Sequence, residues 1–399
     1  MLHRRDFLKL SSFASAAALV PNFLNIFNQY PIQSNGRKLV IIQKSGGCDG
    51  LNTYVPFEND LYFKARPQLG LSDSEIIKIG SQQGVNSAMK EIADIFNEGE
   101  MTILNQVGYP NPDRSHFRSM DIWHTGSNAD EYWPTGWLGR YLDASCNQCA
   151  KPHHVLEIDD TLSLANKGLN SNALALLNTG QLYRATRDEY LQRLNQEYQQ
   201  HKDTLNPSLD YMYKTMSETI NSAAYIHEKA KTYRSKVNYP SGILGRQLKL
   251  VAELINSGVE TSVYYTSLPG FDTHVRQKMQ QERLLEQYSE AVAAFIQDLK
   301  MNNQFEDVLI MTFSEFGRRV EENASGGTDH GKANNLTLIG GKLAKPGFFN
   351  SVPNLTNLDE GDLKFDIDFR NVYASILRNW LEVDDVAILK REFEPLGLI

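Results

Sequence analysis

Between residues 308 and 341 the chain runs Val-Leu-Ile-Met-Thr-Phe and then changes abruptly to Ser314, Glu315, Phe316, Gly317 and the pair Arg318-Arg319. This stretch constrains the fold most. A short, nearly unbroken apolar run is what a strand buried on both faces requires, and such strands belong to sheets covered by helices on either side. In open α/β sheets, ligands sit at the carboxyl ends of the strands. Ser314, Glu315 and the arginines emerge where the run stops. A loop rich in Gly and Asn then carries Asp329 and His330 between Thr328 and Gly331, and Leu336 to Ile339 reads as a second strand returning to the sheet. Two strand ends and one polar loop can therefore bring Glu315, Asp329 and His330 together. The bland reading is a solvated loop between core strands.

The pattern of apolar run followed by polar cluster recurs along the chain. Lys38-Leu39-Val40-Ile41-Ile42 is an early strand that ends in Gly46-Gly47-Cys48-Asp49-Gly50. Glycines on both sides of Asp49 permit a sharp turn that presents its carboxylate at the sheet edge, or places it as a helix N-cap. Residues 101–107 form the next expected strand, followed by Asp113-Arg114-Ser115-His116-Phe117. Ser115 is there a candidate nucleophile with Arg114 as a local anion binder, or else Asp113 or Ser115 caps a helix starting near Phe117. Residues 261–266 form a β-branched and aromatic strand running into Gly270-Phe271-Asp272-Thr273-His274. Asp and His two residues apart at a strand end suit one divalent cation. Helical spacing over 87–98, 243–257 and 281–301 separates the strands, and strand–helix–strand alternation gives parallel crossovers. Residues 181–235, rich in Gln, Glu, Lys, Arg and Tyr and divided by Pro207, predict a helical insert.

At the N-terminus, Arg4-Arg5 precedes Phe7-Leu8-Lys9 and a short apolar run rich in Ala and Ser. The twin arginines predict export through the twin-arginine translocon, with residues 1–21 as the signal segment and 22–36 as a linker. The run is too short for a comfortable span, which takes ~20 apolar residues, so no stable membrane span is expected in the mature protein, which is read as periplasmic or secreted. A net charge of −8 without a basic patch argues against a nucleic-acid partner. Of three cysteines, Cys146 and Cys149 suit a local disulfide after export and Cys48 is left over.

Five ordered motifs carry a family resemblance. Gly46-Gly47-Cys48-Asp49-Gly50-Leu51-Asn52, Arg114-Ser115-His116-Phe117, Gly270-Phe271-Asp272-Thr273-His274, Ser314-Glu315-Phe316-Gly317-Arg318-Arg319 and Gly327-Thr328-Asp329-His330-Gly331 resemble the secreted bacterial proteins of the domain of unknown function numbered 1501, distant relatives of alkaline phosphatases and sulfatases. The resemblance runs from about Lys38 to the C-terminus. It implies an α/β fold of the three-layer α/β/α, alkaline-phosphatase-like kind over 37–399, with a mostly parallel central sheet and the helical insert. It further implies a metal site at the strand ends, with Asp49, Asp272, His274, Glu315, Asp329 and His330 as ligands, Ser115 as nucleophile, and Arg114 or Arg318 holding an anionic group. Glu315 stands where the wider superfamily has Asp, and Phe316 where it has a second metal-binding His, so one ion is expected (Zn²⁺, or Ca²⁺ or Mg²⁺ on a carboxylate-rich site). The function so implied is a metal-dependent hydrolase of phosphate or sulfate esters outside the cytoplasm. The alternative is a non-catalytic exported protein that binds a surface glycan or a protein.

Overall fold

The central sheet grows outward from one strand, Lys38–Ser45 (β1), all of whose interior residues are buried. The computed structural model describes residues 36–145, 151–201 and 206–399. The strands that follow in the same sheet are Met101–Gly108 (β2), Val155–Glu157 (β3), Leu174–Ala175 (β4), Val263–Pro269 (β5), Val308–Phe313 (β6), Asn334–Ile339 (β7), Gly347–Phe348 (β8) and Ile367–Asp368 (β9). Their spatial order is β8-β2-β7-β6-β1-β5-β3-β4, with β9 also pairing β2. β1 pairs in parallel with both β5 and β6, whereas β7 is antiparallel to β6 and to β2. The remaining pairs in this sheet are parallel. The sheet is thus mostly parallel, as the apolar runs required.

Side chains alternate across each strand, and the two faces therefore carry separate cores. Val40 and Ile42 of β1, Tyr264 of β5 and Ile310 of β6 point to one face. There they meet Lys90–Asn97 (α1), Ile243–Asn256 (α7) and Gln277–Met301 (α8) through Ile92, Leu248, Val251, Leu285 and Phe295. Leu39 and Ile41, with Val263, Tyr265, Leu309 and Met311, point the other way. They meet His116–Thr125 (α2), Trp137–Ser145 (α3) and Phe369–Ser375 (α9) through Ile122, Trp123, Trp137, Leu138 and Tyr373. Helices cover both faces, which makes three α/β/α layers. Between α3 and α7 lie Thr179–Thr186 (α4), Glu189–His201 (α5) and Pro207–Lys229 (α6). Pro207 opens α6 at its first turn, where its missing N–H costs nothing. Among the described residues no helix is long and apolar enough to cross a membrane. Arg4, Arg5, Cys146 and Cys149 lie outside the described residues, and Cys48 is a buried free thiol.

Register places the functional edge. Ser45 of β1 stands opposite Pro269 of β5, and Gln43 opposite Phe313 of β6, so the three parallel strands stop nearly together. The segments that leave them begin at Gly46, Gly270 and Ser314. The antiparallel β7 starts from the same edge, which brings the loop before it alongside.

One buried acid near that edge makes the fold pH-sensitive. Glu157, at the end of β3, accepts hydrogen bonds at one oxygen from the Ser163 amide (2.7 Å) and Asn166 Nδ2 (2.9 Å). Burial outweighs those bonds and raises its carboxyl to about 7. Its folded pKa lies above the unfolded one, so the native state binds the extra proton and stability falls as pH rises from about 4.5 to about 7, by at most roughly 3 kcal/mol. Glu157→Gln keeps an oxygen for both donors and removes the charge. Urea titrations should show the variant more stable than the parent by about 1–3 kcal/mol at pH 8, with that gain vanishing near pH 4.5. A gain independent of pH would exclude the buried charge as its origin.

Candidate functional site

Gly46 and Gly47 turn the chain sharply out of β1 with φ of 118° and 71°, a region side chains rarely adopt. A Cβ on Gly46 would lie 2.4 Å from the Asp272 amide nitrogen, and one on Gly47 2.2 Å from the Phe316 ring. These close approaches fit the β1, β5 and β6 exits against one another. The His330 loop is zipped onto the β6 exit by backbone bonds from Gly331 to Gly317 (2.8 Å) and from Arg319 to Asp329 (3.0 Å).

The convergence point is Asp272 Oδ1. It lies 2.9 Å from His274 Nε2, 3.1 Å from His330 Nε2 and 3.5 Å from His116 Nε2. Each imidazole has its other nitrogen next to an oxygen acceptor. His116 Nδ1 is 2.9 Å from Glu315 Oε1, His330 Nδ1 is 2.7 Å from the Arg114 carbonyl oxygen, and His274 Nδ1 is 3.5 Å from Asp329 Oδ1. A carbonyl can only accept, so the His330 Nδ1 carries the proton and donates it. In the neutral ring the Nε2 lone pair then lies beside both the Asp272 carboxylate oxygen and His274 Nε2 (2.9 Å), a contact relieved by a cation shared among them, by a second proton, or by a proton that His274 donates. His116 repeats the arrangement, and its Nε2 is buried without a hydrogen-bond partner. One ligand atom each from His116, Asp272 and His330 falls within 4.8 Å of the others, the spacing needed to share one ion. Two imidazoles oriented through their far nitrogens, plus a carboxylate, form a donor set that suits a divalent transition-type ion.

Charges around the cluster are set by Arg318, whose side chain is fully buried. Its Nη2 donates to Asp272 Oδ1 (2.8 Å) and to the Phe271 carbonyl (2.9 Å), and Nη1 donates to the Thr328 carbonyl (2.9 Å). The carbonyls of Gly46 and Gly47 accept from Nη2 and Nε, each at 2.5 Å. Partial burial opposes ionisation of Asp272, but the hydrogen bond and positive charge of Arg318 outweigh it and hold the carboxyl at about 2. For His116, the hydrogen bond to Glu315 raises the pKa against the effect of burial. Glu315 itself is fully buried and also accepts from the Gly46 amide (2.8 Å).

The sequence-expected residues divide three ways. Asp272, His274 and His330 converge. Glu315 and Asp329 adjoin the cluster from behind, each beside the far nitrogen of an imidazole. Asp49 departs from expectation: its carboxylate is buried and turned to Arg66 Nη1 (2.6 Å), with the Leu51 amide at 3.1 Å and Gln277 beside it. The salt bridge neutralises it inside the wall, away from the ligand group. The arginines also differ from expectation. Arg114 sets Nη2 beside Asp362 (2.5 Å), keeps its side chain partly exposed and contributes its carbonyl to His330, whereas the donors of the buried Arg318 are engaged within the protein, so Arg318 presents no free guanidinium to an anion. Ser115 is the exposed N-cap of α2, and its hydroxyl makes no capping bond. His116, read only as a neighbour of Ser115, is the ligand candidate that sequence reasoning missed; its signal was a His on the first helical residue after a strand-end cluster. Phe316 is buried, with its ring centroid 4.8 Å from that of His116 and 4.6 Å from that of His330. It gives the cluster an apolar wall on that side.

Arg318→Lys should lower the unfolding free energy by about 3–5 kcal/mol, because an ammonium cannot serve four carbonyls and a carboxylate and leaves buried acceptors unpaired. Arg193→Lys, on an exposed helix face, should stay within about 0.5 kcal/mol. Equal effects in paired denaturation curves would contradict the role given to Arg318.

A family model described as "Protein of unknown function (DUF1501)" matches residues 99–356. No curated protein matches. Among solved structures, the chain resembles the C-terminal periplasmic domain of EcEptC from Escherichia coli in complex with Zn (12% identity, TM-score 0.38, 79% of this chain and 77% of that one). It also resembles a protein in the alkaline phosphatase superfamily from Vibrio parahaemolyticus (9%, TM-score 0.39, 99% and 80%) and the PsFucS1 sulfatase from Pseudoalteromonas sp. (10%, TM-score 0.38, 90% and 70%). Likeness at this level says nothing of activity.

Proposed function

We propose, from the premise that the chain belongs to the DUF1501 family, that it is an exported hydrolase of phosphate or sulfate esters working with one divalent cation at the Asp272 cluster. The observation that supports this reading is the convergence of histidine Nε2 atoms on Asp272 Oδ1, with His116 and His330 each oriented by an oxygen at its far nitrogen. The donor set fits a zinc-like ion better than Ca²⁺ or Mg²⁺, which favour oxygen ligands. A bound cation would supply Lewis-acid polarisation of the ester and neutralise charge as its bond breaks.

The chain's own residues set the conditions for that chemistry. Glu315 holds a proton at His116 Nδ1 and the Arg114 carbonyl holds one at His330 Nδ1, so both Nε2 lone pairs remain available. Arg318 keeps Asp272 ionised and fixed. Ser115 is the nucleophile: its exposed hydroxyl adjoins His116 at the positive end of α2, where developing negative charge is favoured. A competing reading, an exported binding protein for an anionic glycan, is favoured by one observation. Arg318 is buried with its charge paired to Asp272, and Arg114 is paired to Asp362 through Nη2, so neither arginine charge is left free of a carboxylate to hold the leaving anion.

Elemental analysis of protein purified without chelators should find a divalent ion at the Asp272 cluster, read as a difference of about one ion per chain between the parent and Asp272→Asn. Asp272→Asn should lower both bound metal and thermal stability, since binding to the native state stabilises it. Ser115→Ala should keep the metal and abolish turnover of aryl phosphate and aryl sulfate substrates. A metal-loaded parent that turns over neither class would leave the binding protein, and a parent purified without metal would exclude the hydrolase reading.

Export rests on Arg4 and Arg5. With both changed to Lys, precursor should accumulate in the cytoplasm of an expressing bacterium, as followed by fractionation and immunoblot. Undiminished periplasmic protein would rule out the twin-arginine route.

A further inference from the structure

At the opposite end of the sheet a second group of ligating side chains meets. Pro152–His154 forms one turn of 3₁₀-helix leading into β3, and Glu260 lies just before β5. The two segments are tied together by the Ser262 amide donating to the His154 carbonyl (2.9 Å) and the Thr261 hydroxyl donating to the His153 carbonyl (2.5 Å). One ligand atom from each of His153, His154 and Glu260 lies within 4.8 Å of the others.

His153 is 3% exposed and its ring is fixed on two sides. Nδ1 is 3.0 Å from the Ser222 hydroxyl of α6, and the ring packs on Tyr225 of the same helix with centroids 4.6 Å apart. Its Nε2 is buried without a hydrogen-bond partner. A buried imidazole nitrogen left unpaired costs about 1–3 kcal/mol, so this atom calls for a partner. Burial, aided by neighbouring His154 and Lys151, lowers the His153 pKa to about 3, and burial also lowers that of His154. Burial thus favours the neutral imidazole, the form that binds metal. Glu260 supplies an exposed carboxylate, whose ionic neighbour is the exposed Lys151 ammonium at 3.5 Å.

We infer that His153, His154 and Glu260 form a second divalent-metal site, of the zinc or nickel class, that pins the lead-ins of β3 and β5 to helix α6. The two imidazoles and the carboxylate provide three ligands, and water completes a four-coordinate shell. Lys151 competes with the ion for Glu260. This site shares no residue with the Asp272 cluster and stands whether or not that cluster is catalytic.

The test titrates chelator-stripped full-length protein with ZnCl₂ by calorimetry, in the Asp272→Asn background so that the other edge is weakened. One equivalent should still bind and raise the melting temperature. His154→Ala or Glu260→Gln should weaken that binding at least tenfold, and Lys151→Gln should strengthen it. Glu260 is exposed, so its variant is expected to fold even if His154→Ala does not. Should the Asp272→Asn chain fail to fold, the same variants are read in the parent as loss of one of two equivalents. Zinc binding unchanged by both His154→Ala and Glu260→Gln, or absent from a folded Asp272→Asn protein, would overturn the proposal.

Discussion

The functional edge depends on one buried guanidinium. Arg318 accepts no water-facing role; its donors go to the carbonyls of Gly46, Gly47, Phe271 and Thr328 and to the carboxylate of Asp272. Those partners come from the exits of β1 and β5 and from the loop that carries His330. A single planar cation, itself on the β6 exit, therefore sets the distances among all four segments. Burying a charge is favourable only when its hydrogen bonds are complete, so the loops cannot drift without leaving that charge exposed to a low-dielectric interior. The positive φ at Gly46 and Gly47 follows from the same demand, because only that backbone turn brings both carbonyls inward while the Phe271 backbone and the Phe316 ring approach closely.

Much of this edge was legible in the sequence. Apolar runs without alternation specify strands buried on both faces, and a polar cluster directly after such a run must lie at a strand end. That reasoning placed Asp272, His274, Glu315 and His330 near one another. It failed where a side chain's partner is set by tertiary contact alone. Asp49 looked like Asp272, a carboxylate in a glycine-rich exit, yet Arg66, the residue that caps the end of a short helix at Asp60–Ala65, neutralises it. His116 was hidden by its neighbour Ser115, and the contribution of Arg114 is a backbone carbonyl, which no residue type announces. Helix α8 begins at Gln277 rather than 281 because its first turn is polar on the buried side: Gln277 and Gln281 donate to the carboxylate and the carbonyl of Asp49.

The distinction between ligand and supporting residue decides what chemistry the site can hold. Had all six expected groups met at one point, four carboxylates would have favoured a hard cation. Instead Asp49 is paired in the wall, and Glu315 and Asp329 stand behind imidazoles. That arrangement converts carboxylate charge into histidine orientation and basicity. Phe316 adds an apolar boundary: its ring lies against His116 and His330 and offers no ligand atom on that side.

Strand β5 links the two ends of the sheet. Its carboxyl end leads to Asp272 and His274, while Glu260 lies just ahead of its amino end, and the seven residues between span roughly 23 Å at ~3.3 Å each. Sites separated by more than about 10 Å without shared partners act additively. Substitutions at one edge should therefore leave ion affinity at the other unchanged unless β5 itself shifts. Such a shift is opposed by its pairing along its whole length with β1 and, at its start, with β3. A rigid central strand thus makes the two clusters physically independent even though one segment of fifteen residues, 260–274, contributes side chains to both. Coupling between them, if measured, would have to pass through the helical layer by way of α6 and its contacts with His153, and not through the sheet.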